Sequence, residues 1–207
     1  MAKIKAVIFD WNGVITDDVH LIYESIMHVA KYAKVKRISL QEFKENYALP
    51  WPNFYKYLGV KLPIKKCSEQ FIEKLISLPG ANLFPGVLET LNFLKEKNIT
   101  MNVLTSHKKF LLEEDISRFN LQSYFVNVYS GVVDKKDKIE QVVLNLHVKP
   151  NQILYVGDMV HDIETAKHGK VLSAAFVNGY NTKEVLLKAK PDFVLEKLSD
   201  LQKLKIF

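Results

Sequence analysis

Ile4-Lys-Ala-Val-Ile-Phe-Asp-Trp-Asn-Gly-Val-Ile-Thr16 is the stretch on which the reading of this chain turns. Residues 4–9 are rich in apolar and β-branched side chains and run into an acid, the pattern of a buried strand with Asp10 at its carboxyl end. From the turn signal Pro85-Gly86 onward, helical and strand patterns alternate: helix 87–97, strand 100–104, helix 110–119, strand 125–129, helix 138–146, strand 152–156, helix 162–168 and strand 172–177. Strands interleaved with helices imply right-handed crossovers, so the expected fold class is α/β, a doubly wound and mostly parallel sheet.

The intervening segment has another character. Leu21, Ile22, Ile26, Val29, Ala30 and Ala33 follow helical spacing, and Ser39 with Glu42 three residues on reads as a capping box. Helical character continues to about residue 78, broken at Pro50 and Pro52. The expected organisation is therefore an α/β core of residues 1–16 and 85–207 carrying an inserted helical subdomain, 17–84.

Composition narrows the classes. The chain has 207 residues, 48% apolar and 25% charged, which excludes disordered and collagen-like chains. Lysine and arginine exceed the acids by 29 to 23, a net +6, but the lysines are dispersed and no nucleic-acid-binding motif accompanies them. Nucleic acid is not an expected partner; a small anion is. Cys67 is alone and cannot close an internal disulfide, which fits a reducing, cytoplasmic setting. Asp10 and Asn12 cut short the apolar run after Lys5, and no stretch reaches about 18 apolar residues, so neither a targeting segment nor a membrane partner is expected. Both a monomer and a homodimer remain open.

In doubly wound sheets ligands bind beyond the carboxyl ends of the strands. Three such ends carry chemistry: Asp10-Trp-Asn-Gly13, Thr105-Ser-His107, and Gly157-Asp-Met-Val-His-Asp162. Acids and hydroxyls with a lysine nearby suit a phosphoryl group held against a hard divalent cation.

In this order the segments resemble the haloacid dehalogenase superfamily of hydrolases with a helical cap. Residues 7–17 resemble its first motif, Val103-Leu-Thr-Ser106 its second, Lys138 its third, and Val156-Gly-Asp158 through Asp162 its fourth. Lys135 and Lys136 compete for the third position. The stretch Ala48-Leu-Pro-Trp-Pro-Asn-Phe-Tyr-Lys-Tyr-Leu-Gly59 resembles the phosphoglycolate-phosphatase-like branch. The resemblance implies a phosphatase acting on a small phosphorylated metabolite, with Asp10 attacking phosphorus to form an aspartyl-phosphate. It further implies Mg²⁺ held by Asp10, the main-chain carbonyl of Asn12 and Asp158, with Asp162 orienting the metal's water or Lys138. Thr105 and Lys138 would cradle the phosphoryl oxygens, and Trp11, Asn12 and Ser106 would also meet the substrate.

One position departs from the family pattern. Asn12 stands where these phosphatases usually carry an acid that protonates the leaving oxygen and activates water, and an amide performs neither task. Two alternatives follow from it. One is a phosphonate-cleaving enzyme, which needs a cap lysine such as Lys56; the other is a member that binds a phosphorylated ligand or a protein without turnover.

Overall fold

The computed structural model describes residues 2–207. Six strands form one sheet: β1 (Ala6–Phe9), β4 (Thr100–Leu104), β5 (Asn127–Tyr129), β6 (Ile153–Gly157), β7 (Leu172–Phe176) and β8 (Phe193–Leu195). Their order is β5-β4-β1-β6-β7-β8, and every neighbouring pair is parallel. β1 is central, with Ala6 opposite Thr100 on one side and Ile153 on the other. Its side chains alternate between two apolar layers. Val7 and Phe9 pack with Leu91, Leu94 and Leu112, whereas Ala6 and Ile8 pack with Ile139, Val142 and Ala166. Burial on both faces is why the strand reads as an uninterrupted apolar run.

The helices covering the sheet are α5 (Val87–Glu96), α6 (Lys109–Arg118), α7 (Lys136–Asn145), α8 (Val160–His168) and α9 (Lys183–Lys188). Each expected strand and helix after residue 85 is present, with ends displaced by one or two residues, as frayed termini allow. β5 is shorter than expected: Phe125 lies outside it and packs its ring edgewise on Phe9 and Trp11. α9 and β8, beyond the last expected strand, complete the sheet.

The segment between β1 and α5 leaves and re-enters through a two-stranded antiparallel ribbon, β2 (Thr16–Asp17) against β3 (Asn82–Leu83). Between these strands lie α1 (Val19–Tyr32), α2 (Leu40–Asn46), α3 (Trp51–Tyr57) and α4 (Ile64–Ile76). Ser39 caps α2, its side chain accepting from the Glu42 N–H, and Pro50 precedes the first residue of α3. The four helices enclose an apolar cluster of their own, which also takes in Met159 and Tyr180 from the sheet side. Among the described residues no helix is long and apolar enough to cross a membrane.

Because Ile8 is fully buried in the central strand, Ile8→Ala is expected to lower the unfolding free energy by about 2–5 kcal/mol. Urea denaturation with an unchanged m-value checks this; a loss below about 1 kcal/mol contradicts the packing described.

Candidate active site

The chain runs outward from β1 through β4 to β5, then returns to β6 on the other side of β1. The crevice of such a sheet opens where the order reverses, between β1 and β6. Asp10 and Asp158 are the residues immediately after these two strands. The Asp10 N–H donates to Val156 O at 2.9 Å, prolonging the ladder and fixing the acid at the sheet's rim. Asp162, in the first turn of α8, accepts through Oδ2 from the N–H groups of Asp158 (3.2 Å) and Met159 (3.0 Å). All three carboxyls are buried, and one oxygen from each lies within 4.8 Å of the others.

Among the described residues one buried cation meets two of them. Lys135 Nζ lies 2.6 Å from Asp10 Oδ2 and 2.7 Å from Asp162 Oδ1, and Tyr155 Oη donates to the same Asp162 oxygen at 3.3 Å. Burial works to lower the Lys135 pKa, but the two flanking carboxylates outweigh it and hold the group well above the lysine range. Burial lifts Asp10 to about 6 against the opposing pull of Lys135, and it raises Asp158 well above the carboxylate range, with Asp162 and Asp10 adding to the effect.

Lys135, and not Lys138, is therefore the lysine at Asp10. Lys138 is half-buried on α7 with its ammonium 5.7 Å from the Tyr129 ring centre. Trp11 is corrected as well. It keeps the strand's parity with Val7 and Phe9, so its indole is buried in the same apolar layer and its Nε1 donates to Asp115 at 3.2 Å. Its main chain does reach the site, donating to Asp10 Oδ1 at 2.7 Å. Ser106 borders the cleft over Asp10, and Thr105 is buried behind it with Oγ1 accepting from the His107 N–H. Lys56 is exposed and does not border the cleft.

Asp18 was not foreseen. It is buried, and its carboxylate accepts from Gly13 N and Tyr180 Oη, each at 3.0 Å, and from the Asn12 side-chain amide. Burial lifts it to about 7 despite these three donors. Tyr180 also donates its N–H to Asp158 Oδ2 at 2.5 Å, tying both acids to one residue. Gly13 makes this packing possible. Its φ is +74°, and a Cβ there would stand 2.2 Å from Asp158 Oδ2.

The donor set fits a divalent cation. Asp158 Oδ1 is buried without a hydrogen-bond partner among the described residues, and buried polar atoms are seldom left so. Three carboxyls converge here while Lys135 meets only Asp10 and Asp162 among the described residues, and the atoms they offer are oxygens, the preference of Mg²⁺. Asp162 takes four donors, Lys135 Nζ, Tyr155 Oη and the N–H groups of Asp158 and Met159, where Asp10 takes two, and this marks it as the support of the other two acids.

Comparison with known proteins agrees with this architecture. The family model for haloacid dehalogenase-like hydrolases matches residues 7–176. The chain is 27% identical over 212 residues to a phosphoglycolate phosphatase of Synechococcus elongatus, covering 95% of each. It is 33% identical over 126 residues to that of Vibrio parahaemolyticus, covering 58% of this chain and 55% of the relative. Among solved structures, a hydrolase from Pseudomonas syringae superposes with a TM-score of 0.82 at 16% identity, covering 96% of both chains. A haloacid dehalogenase-like family protein from Streptococcus pneumoniae gives 0.74 at 19%, covering 97% of both.

Two outcomes follow. Lys135→Met leaves two buried carboxylates without their cation and should cost about 3–5 kcal/mol, whereas Lys138→Met should cost less than about 1 kcal/mol. Equal losses in chemical denaturation would reverse the assignment. Asp18 holds its proton up to about pH 7 when folded but only to about pH 4 when unfolded, so its contribution to stability is present in acid and lost as pH rises through that interval. In EDTA, the Tm difference between Asp18→Asn and wild type should move in the variant's favour from pH 5 to pH 8; a constant difference contradicts the buried acid.

Proposed function

The chain belongs to the haloacid dehalogenase-like hydrolase family, and we propose that it is a Mg²⁺-dependent phosphatase that hydrolyses a small phosphomonoester through an aspartyl-phosphate on Asp10. The observation that carries this reading is the set of three buried acids at the mouth of β1 and β6, two of them, Asp10 and Asp162, held by the buried Lys135, with Asp10 opening into a cleft. The named relatives supply the reaction class.

Each residue has a task that its position allows. Lys135 and the Trp11 N–H fix the Asp10 carboxylate from two sides, so the nucleophile meets phosphorus without reorienting. Attack forms an Asp10 oxygen–phosphorus bond and breaks the bond to the leaving oxygen, which departs with the electron pair and takes a proton from solvent. Water then attacks the aspartyl-phosphate, releasing inorganic phosphate and restoring the carboxylate. Ser106 at the cleft wall and Thr105 behind it suit the phosphoryl oxygens, and Lys135 offsets their charge. Asp10 and Asp158, with the Asn12 carbonyl, would hold Mg²⁺, which when bound neutralises the anionic nucleophile and phosphoryl group enough for them to approach.

Asn12 sets the limit of this chemistry. Its amide donates to Asp18 and has no proton to give a leaving oxygen. General acid–base assistance is worth roughly 10² to 10⁴ in rate, so turnover should depend steeply on leaving-group acidity, favouring acyl and aryl phosphates over alkyl phosphates.

Phosphate release from acetyl phosphate and phenyl phosphate should require Mg²⁺ and fall by more than about 10³ in Asp10→Asn. Metal-independent release, or activity retained in that variant, would refute the proposal. Asn12→Asp alone sets a carboxylate against Asp18. The double variant Asn12→Asp/Asp18→Asn keeps one amide facing one acid and should raise turnover of alkyl phosphates by about 10². No gain in the folded double variant would remove Asn12 as the cause of slow turnover.

A further inference from the structure

The cleft above Asp10 is walled on the helical side by Tyr47, Leu49, Trp51, Tyr55, Phe71 and Leu75. The sheet side adds Leu111 and Met159 to the apolar lining, and beside Asp10 the polar groups are Asn12, Ser68, Ser106, His107 and Tyr180. These are neutral. Burial lowers His107 to about 4, with Asp115 only partly opposing, and pushes the hydroxyls of Tyr47, Tyr55 and Tyr180 far above their ordinary range. Among the described residues Lys108 is the only cation on the lining, and it is exposed. Lys135 is already engaged between two carboxylates.

From this lining we infer that the substrate's leaving group is uncharged and predominantly apolar, an aryl or hydrophobic alcohol, and not a carboxylate-bearing alcohol such as glycolate. The inference rests on the phosphatase reading and narrows it to one class of ester. A carboxylate here would lose its hydration against aromatic and aliphatic carbon without a buried cation to replace it, next to the carboxylate of Asp10. An apolar ring gains by the same transfer and can pack edgewise or offset against Trp51 and Tyr55, whose own rings meet at 84° and 5.8 Å. His107 Nε2 is buried 3.8 Å from Asp115 Oδ2 and so does not offer the cleft a cation.

The test separates charge from leaving-group acidity. 4-Methylphenyl phosphate and 4-carboxyphenyl phosphate have similar shape and reactivity and differ in charge, as do n-propyl phosphate and phosphoglycolate. With Mg²⁺, kcat/KM should favour the uncharged member of each pair by at least about tenfold. Trp51→Ala should shrink the first ratio mainly through KM, Trp51→Phe should retain it, and Lys108→Met should preserve the order. Equal or reversed ranking, or a phosphoglycolate preference that Lys108→Met abolishes, overturns the inference. Should Trp51→Ala fail to fold, the wild-type ratios still decide. Acetyl phosphate is the control. Its hydrolysis without charge preference among the esters defeats this inference alone, whereas absence of turnover on all five compounds defeats the phosphatase reading with it.

Discussion

The ammonium of Lys135 between Asp10 and Asp162 is the contact on which the rest of the site depends. It joins the end of β1 to the first turn of α8 from the start of α7, so three elements meet at one charge. Asp162 in turn holds the Asp158 and Met159 amides and so sets the turn after β6. A buried pair of this kind gives little net stability compared with apolar packing, and removing one partner is costly. Its value lies in geometry: it holds two carboxyl groups aimed where apolar side chains could not.

Most of the sheet was legible because burial on both faces forces continuous apolar runs, as in Ala6–Phe9 and Ile153–Gly157. The helical segment was legible from its spacing and from the Ser39 cap. β2 and β3 were not, because two-residue strands carry no period. Lys135 had a signal that was passed over: it precedes Ile139 by four residues and Val142 by seven, on the buried stripe of α7, whereas Lys138 falls to its side. Trp11 was readable by the same means, since residues 7, 9 and 11 share one face. Asp18 was not readable locally, because its partner Tyr180 is 162 positions away.

Asn12 and Asp18 form a unit. An amide facing the buried Asp18 gives each group a hydrogen-bond partner, whereas two acids would meet there without one. Asn12 is therefore not simply a missing acid. It belongs to a network in which its partner Asp18 is held by Gly13 and Tyr180 as well.

Tyr180 and Asn181 connect this network to the helices that wall the cleft. The Tyr180 ring packs against Phe43 and Tyr47 at 6.2 and 5.5 Å between centroids. Asn181 donates to the carbonyls of Lys44 and Tyr47 while accepting from the Val160 N–H at the start of α8. Moving α2 away from the sheet must break these contacts in the same step that exposes Asp158 and Asp18 to water. Water entry weakens the attraction between Lys135 and its carboxylates and lowers the cost of ionising the buried acids. Tyr180 thus shields Asp158 and Asp18 while bordering the apolar cleft, so the packing of the helices and the burial of these acids are set by one residue.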